Sequence, residues 1–88
     1  MENGLDKAKR LVYNYVNMKL EITDTHVDFT EDEVYVVWWA FILGGWKALV
    51  STTLPDGMYY EVTYNKINQE TYIDAYKKWD NVTVLDRE

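Results

Sequence analysis

The chain has 88 residues and a net charge of −6, which is enough for a single domain over residues 1–88 and too short for two. It contains no cysteine, so disulfides, thiolate nucleophiles and sulfur-ligated metal sites are excluded. Its four tryptophans, eight tyrosines and two phenylalanines suffice for a dense small core, whereas the acidic balance argues against a surface that grips a phosphate backbone.

Residues 4–20 have the pattern of an amphipathic helix. Apolar side chains recur at three- and four-residue spacing, beginning with Leu5, Ala8 and Val12. Asn3 stands just before the first turn, where a short polar side chain accepts a hydrogen bond from a free backbone N–H. We therefore predict a helix capped by Asn3.

Residues 21–33 form an acidic stretch with six carboxylates and no lysine or arginine. Such a stretch is usually a solvated loop, and it would also suit contact with a basic partner surface or mimicry of nucleic-acid charge. The residues predicted to make that contact are Asp28, Glu31, Asp32 and Glu33. Thr30 and Glu33 have the spacing of a capping box, which we interpret as a tight turn leading into a strand.

Three strands are predicted next, separated by two turns. Residues 34–43 are rich in β-branched and aromatic side chains, which favours a strand. Gly44-Gly45 predicts a two-residue hairpin turn with positive φ angles, followed by a strand over residues 46–54. Pro55-Asp56-Gly57 predicts a three-residue turn, followed by a third strand over residues 58–64.

The C-terminal part is predicted to be helical. Asn68 is placed to cap a helix over residues 69–79. The inner stripe of that helix comprises Tyr72, Ile73, Tyr76 and Trp79. Residues 82–85 are predicted to add a short edge strand. The predicted fold class is α+β, in the order helix, three-stranded antiparallel meander, helix, with both helices on one face of the sheet.

The two turns also predict which side chains share a face of the sheet. The hairpin turn places Trp39 opposite Val50, and the three-residue turn places Val50 opposite Val62. Both turns agree on the face that both helices should cover. That face comprises Tyr35, Val37, Trp39, Phe41, Leu43, Trp46, Ala48, Val50, Leu54, Met58, Tyr60, Val62 and Tyr64.

The opposite face is predicted to lie open, because one layer of helices covers one side of a sheet. An exposed apolar patch usually marks an interface. The predicted partner-binding residues on this face are Val36, Trp38, Ile42, Leu49 and Tyr59. The alternatives are that the acidic stretch folds back over the patch, or that a second copy of the chain covers it.

The sequence offers no evident catalytic, metal or cofactor constellation. His26 is the one histidine and would be a general base held by Asp24 or Asp28, but no partnered serine and no cysteine stands nearby for the imidazole to activate. The acidic stretch lacks the spacing of a calcium loop, and Gly44-Gly45 lacks the spacing of a phosphate loop. We therefore expect a protein without metal or cofactor that is not an enzyme.

Nucleic-acid binding is a weaker alternative. The predicted element order is also that of double-stranded-RNA-binding domains, whose last helix opens with lysines that grip phosphates. Here that helix would open with Gln69-Glu70-Thr71, and its two lysines, Lys77 and Lys78, would lie at the far end. Trp38 and Tyr59 offer surfaces on which single-stranded bases stack, but Lys47 is the one cation predicted on their face and Glu61 opposes binding.

No membrane or secretion signal is expected. Residues 1–4 lack a basic stretch followed by an apolar one. The longest apolar run, over residues 34–45, is about half of what a membrane span needs. We therefore expect a soluble protein without a membrane partner.

Several stretches form a distinctive combination: residues 34–38 (VYVVW), 47–53 (KALVSTT), 56–65 (DGMYYEVTYN) and 72–79 (YIDAYKKW). This combination resembles a family of uncharacterised small non-structural proteins of phages and prophages of Gram-positive bacteria. The resemblance implies a setting, namely the cytoplasm of a host bacterium. Phage proteins of this kind often inhibit host or defence machinery, so the resemblance also implies such a role by analogy.

Our leading hypothesis is a non-enzymatic phage-type accessory protein that binds a host protein and so inhibits a bacterial defence system, in the manner of anti-CRISPR proteins. The open face would carry the contact. The alternatives are a small structural homodimer whose open faces bury each other, and a weak nucleic-acid-binding module.

Overall fold

The computed structural model of the protein describes residues 3–25 and 27–86. Over these residues the fold class is α+β, with one α-helix and one four-stranded antiparallel sheet in the order β1-β2-β3-β4. The elements are α1 (Gly4–Ile22), a short 3-10 turn (Glu31–Glu33), β1 (Val34–Ile42), β2 (Gly45–Thr52), β3 (Met58–Asn65) and β4 (Glu70–Lys77). The smallest dimension is 19 Å, which corresponds to one helix layer on one sheet layer.

The helix α1 begins as the sequence predicts. The side-chain oxygen of Asn3 accepts a hydrogen bond from the Asp6 N–H at 2.8 Å, which confirms the predicted cap. The helix runs two residues further than predicted, to Ile22, and the Thr23 hydroxyl then donates to the Lys19 carbonyl at 3.0 Å. Its buried side chains are Ala8, Val12 and Val16.

The core lies between α1 and the face of the sheet that carries Ala48, Val50 and Val62, each of which is 0% exposed. An aromatic stack extends this core towards the start of the helix. Trp39 stacks on Trp46 with ring centroids 4.6 Å apart, and Trp46 stacks on Tyr64 at 5.7 Å. The uncovered face of the sheet lies on the other side.

The turn between β1 and β2 is displaced by one residue from the prediction. Ile42 pairs with Gly45, so the turn consists of Leu43 and Gly44, and Gly44 has the positive φ of 85°. Gly45 belongs to β2 instead, where a Cβ would overlap the Tyr64 carbonyl of the neighbouring strand. Phe41 and Leu43, at this tip, were predicted to lie in the core. That prediction is wrong, because their side chains are 82% and 105% exposed.

Strand β1 contains a bulge that the sequence did not reveal. Val36 pairs with Val50 and Trp38 pairs with Leu49, so the ladder skips Val37. Because a bulge adds one residue to one strand, it reverses which side chains face the helix on either side of it. The predictions for Tyr35 and Val37 were therefore wrong: each is 46% exposed rather than buried in the core.

The β2–β3 connection is a five-residue loop over residues 53–57, and it replaces the predicted three-residue turn. The Asp56 carboxylate accepts a hydrogen bond from the Met58 N–H at 3.1 Å, and Gly57 takes the expected left-handed conformation. Val50 consequently pairs with Tyr60, two residues from the predicted Val62. A shift of two residues preserves the face, because side chains alternate with period two.

The predicted helix over residues 69–79 is wrong, because residues 70–77 form β4, which pairs with β3 along its whole length. The side-chain oxygen of Asn65 accepts hydrogen bonds from the Ile67 and Asn68 N–H groups, at 3.0 and 3.2 Å. Gln69 then takes a positive φ of 53°, which returns the chain alongside β3. Asn68 is therefore part of a turn and not a helix cap.

The predicted edge strand over residues 82–85 is also wrong. Residues 78–86 contain neither helix nor strand. Trp79 is 95% exposed and Val84 is 83% exposed, so this C-terminal segment, residues 79–86, carries large apolar side chains in solvent.

Gly4 allows α1 to approach the sheet, because a Cβ at this position would overlap the Trp39 indole. We expect Gly4→Ala to lower the free energy of unfolding by about 1–3 kcal/mol, the usual cost of overpacking a core. Urea unfolding measures this. Asn14→Ala, on the exposed side of the same helix, is the matched control, and Gly4→Ala made on a Trp39→Leu background should cost much less. Equal costs in both backgrounds would contradict the contact.

Tyr60 is 4% exposed, and burial, followed by the charges of Asp56 and Tyr15, raises the pKa of Tyr60 to about 12. The folded state thus favours the neutral phenol. Its contribution to stability is complete below the ordinary tyrosine pKa of about 10 and is lost as the pH rises through about 12. We expect urea unfolding to show a larger loss of stability for the wild type than for Tyr60→Phe in this pH window. Equal losses would show that Tyr60 is not the group responsible.

Candidate protein-binding face

The strand register defines the side chains on the uncovered side of the sheet, which we call the open face. Three rows of side chains run across the four strands. They are Tyr35, Ser51, Tyr59 and Tyr76; then Trp38, Leu49, Glu61 and Asp74; then Ala40, Lys47, Thr63 and Tyr72. Ile42 lies beyond the third row, at the β1–β2 turn. No described helix covers this face, since α1 packs on the opposite side.

Four of the five predicted apolar contact residues lie on the open face. Trp38 is 41% exposed and Ile42 is 40% exposed, while Leu49 and Tyr59 are half-buried by their neighbours. The exception is Val36, whose placement was wrong. The bulge at Val37 turns Val36 towards the helix, where it packs against the core.

Three tyrosines of the open face were missed by sequence reasoning. Tyr35, Tyr72 and Tyr76 are 46%, 43% and 53% exposed. Tyr35 was assigned to the core because the bulge could not be seen, and the other two were assigned to the inner stripe of a helix. A period-two pattern was available as a signal in β4, where Tyr72, Asp74 and Tyr76 alternate with Ile73 and Ala75.

A shallow cleft interrupts the aromatic surface at Ser51. The Ser51 side chain is 4% exposed, and its hydroxyl donates to the Met58 carbonyl at 2.9 Å. Tyr35 and Tyr59 flank it on the neighbouring strands, and Lys78 stands at the edge of the cleft, which has a volume of about 180 Å³. The cleft is wide enough to accept a single side chain of a partner.

The charges of the open face are largely satisfied within the molecule. Lys47 and Glu61 form an ion pair at 3.4 Å across β2 and β3. The Tyr72 hydroxyl donates a hydrogen bond to the Glu70 carboxylate, and this bond raises the pKa of Tyr72. Asp74 lies in the Trp38 row, and no ion pair joins it to any residue of the described chain. The face therefore presents aromatic surface with acidic character at one edge.

The described residues of the acidic stretch, 21–25 and 27–33, do not cover the open face. Its Phe29 is buried and stacks on Tyr13 of α1, with ring centroids 5.6 Å apart, so the stretch is anchored on the helix side. Glu33 accepts a hydrogen bond from the Thr30 N–H at 3.1 Å, as the capping-box interpretation predicts.

The predicted acidic contacts stand apart from the apolar ones. Asp28, Glu31 and Asp32 are exposed and Glu33 is half-buried, all just ahead of the edge strand β1. They thus precede Tyr35 in the chain and belong to none of the three rows of the open face.

No group of three or more histidine, aspartate or glutamate side chains that could hold a metal ion occurs within residues 3–25 and 27–86. His26, considered above as a general base, lies outside the described residues. No helix in the part of the chain that the structure describes is long and apolar enough to cross a membrane.

These features define a small two-layer α+β protein with one helix-covered sheet face and one open aromatic face. Residues 5–86 match the sequence model of a family of unknown function, DUF6275, and the chain belongs to that family. No curated protein and no solved structure matches the chain. Because membership assigns no activity, a function must be argued from the geometry.

The bulge decides which of two neighbouring valines, Val36 or Val37, packs against the core, and substitution tests this placement. We expect Val36→Ala to lower the free energy of unfolding by about 1–2 kcal/mol, because Val36 packs against the core and each buried methylene contributes roughly 0.8 kcal/mol. Val37→Ala, at a side chain that is 46% exposed, should stay within about 0.5 kcal/mol. Urea unfolding measures both, and the reverse order would contradict the bulge.

Proposed function

We propose that the protein is a non-enzymatic binding module that docks a host protein with its open face. The supporting observation is the exposure of Trp38, Tyr35, Tyr72 and Tyr76 on one side of an ordered sheet. Tyrosine and tryptophan are the residues most enriched at the centres of protein interfaces, because a rigid ring buries much area at little cost in entropy.

Trp38 and Tyr59 are the expected centre of the contact. Trp38 presents an exposed indole beside the half-buried Leu49, and Tyr59 borders the Ser51 cleft. Aromatic side chains next to a concave feature are typical anchors of binding energy. Asp74 and the acidic residues ahead of β1 would meet basic groups at the rim of the partner, where charge steers association.

Charge makes a nucleic acid a poor occupant of the same face. Lys47 is the cation of the three rows, and Glu61 neutralises it at 3.4 Å. A single-stranded nucleic acid would need free cations along its backbone beside the stacking aromatics. A protein partner needs no such row of free cations.

The proposed biological setting, the cytoplasm of a bacterium that hosts a phage or prophage, rests on the sequence resemblance. A phage or prophage accessory protein in a bacterial cytoplasm would meet host proteins there, and inhibition of a defence system is the proposed outcome. A compact domain that exposes one aromatic face suits this role, because masking a surface of the target requires no chemistry of its own.

We expect Trp38→Ala and Tyr59→Ala each to weaken binding of the partner by about 2 kcal/mol, which is roughly 30-fold in affinity. The experiment is affinity capture from a Gram-positive lysate with mass spectrometry, followed by calorimetry on the captured protein. Phe41→Ala is the matched control, because Phe41 is also an exposed aromatic side chain, at 82%, but lies on the side of the sheet that faces the helix. A partner retained equally by wild type and both open-face variants would overturn the proposal.

A homodimer through the open face is the second candidate, because the same exposed aromatics could bury each other in a second copy. Light scattering at micromolar concentration separates the two. A monomer eliminates the dimer, whereas a dimer that Trp38→Ala dissociates would replace the host-protein proposal.

A further inference from the structure

A groove opens on the helix side of the sheet, opposite to the open face. It lies between the C-terminal half of α1 and the ends of β2 and β3, and its volume is about 330 Å³. Its walls are mostly apolar and include Val16, Leu20, Leu54, Met58 and Tyr60. Lys19 and Asp56 also line it and supply polar groups. A concave, largely apolar site with a few polar groups is the usual form of a binding site.

The groove exists because one helix is too narrow for the sheet. The helix α1 packs chiefly against β1 and β2. Met58, Tyr64 and Ile73, on the helix side of β3 and β4, remain half-exposed. The apolar surface beyond the helix is therefore left without a second layer, although it continues the buried core directly.

The C-terminal segment, residues 79–86, has the complementary property. Trp79 is 95% exposed, and the aliphatic side chains that follow it are Val82 at 71%, Val84 at 83% and Leu85 at 63%. Burial of such side chains typically stabilises a protein, so a segment that carries several of them favours contact with another apolar surface.

The register of the sheet brings the start of this segment to the groove. Met58 pairs with Lys77, and the Lys78 N–H donates to the Gly57 carbonyl at 2.7 Å, which extends the β3–β4 ladder by one more pair. Continued by one further step beyond the end of β4, the same register would place Trp79 opposite Asp56. Because side chains alternate, Trp79 then belongs to the same side of the sheet as Lys77 and Met58, which is the side of the groove.

We propose that the groove is a binding site for an aromatic side chain on an extended segment, and that its occupant is the C-terminal segment of the same molecule. The Trp79 indole enters the groove against Met58 and Leu20. Its N–H then lies within reach of the Asp56 carboxylate, which supplies the polar partner that a buried indole requires. The structure holds the segment in its undocked state.

The same molecule is favoured over a second copy by chain connectivity. Trp79 follows directly after Lys78, whose backbone N–H donates to the carbonyl of Gly57, the residue between the groove-lining Asp56 and Met58. A tether of one residue gives the intramolecular contact a very high effective concentration. The groove and the open face lie on opposite sides of the sheet, so this contact is independent of the proposed function.

Nuclear magnetic resonance on the wild-type chain tests the docking. The Trp79 indole N–H signal is assigned by its loss in Trp79→Phe. We expect nuclear Overhauser contacts from the Trp79 ring to the methyl groups of Met58 and Leu20, unchanged on tenfold dilution. An indole with a random-coil shift and no such contacts would overturn the proposal, and contacts that weaken on dilution would assign the groove to a second copy and overturn it equally.

Removal of the occupant provides a second readout. A chain ending at Lys78 should bind the apolar dye ANS several-fold more strongly than the wild type, because the groove is then permanently open. Val37→Ala, which alters an exposed apolar side chain that does not line the groove, should leave dye binding unchanged. Equal dye binding by the shortened chain and the wild type would show that the segment does not occupy the groove.

Discussion

The contact between one helix and one side of the sheet is the constraint on which the rest of the molecule depends. Val12 of α1 is 0% exposed, and so are Val50 and Val62 on the sheet. Each such side chain stabilises the fold by about 1.5–3 kcal/mol relative to an exposed one, and a chain of this size has few of them. The sheet must therefore turn this side towards the helix, and the other side is left to solvent.

The bulge in β1 serves this constraint. With unbroken alternation from Trp39, the strand would direct Tyr35 and Val37 at the helix and Val36 at solvent. The skipped residue Val37 brings Val36 inward instead and sends Tyr35 to the open face. A bulge also twists an edge strand and so discourages pairing with other chains. One irregularity thus completes the core, enlarges the aromatic face and protects an edge.

Local features were predictable from the sequence, and long-range ones were not. The Asn3 cap and the helix after it depend on neighbouring residues, and so does the turn before β1. The assignment of side chains to faces survived for the strand residues between Trp38 and Val62 even though both turns were misjudged, because each error displaced the register by two residues and thus preserved the alternation. The bulge depends on how Val34 and Val36 pack against the helix, and no local pattern records it.

The C-terminal strand β4 is the element that the sequence assigned to the wrong secondary structure, a helix. Tyr72, Ile73 and Tyr76 fit a helical stripe and a period-two strand almost equally well, and Asn68 is as common in turns as at helix starts. The decision is made by tertiary pairing with β3, and Tyr72 and Ile73, which a helix would keep on one stripe, are consequently separated onto opposite faces. This separation gives the open face two of its tyrosines.

The same choice explains the groove on the other side. A helix over residues 69–79 would have supplied a second element to pack on Met58 and Tyr60, as the sequence predicted. A strand extends the sheet sideways and adds no layer, so these side chains keep only α1 as cover and line a groove instead. The missing helix also leaves Trp79, its predicted last anchor, in solvent. The pairing of β4 thus extends the open face, leaves the groove uncovered and leaves the Trp79 indole unburied, so side chains that the sequence predicted to be core line exposed surfaces instead.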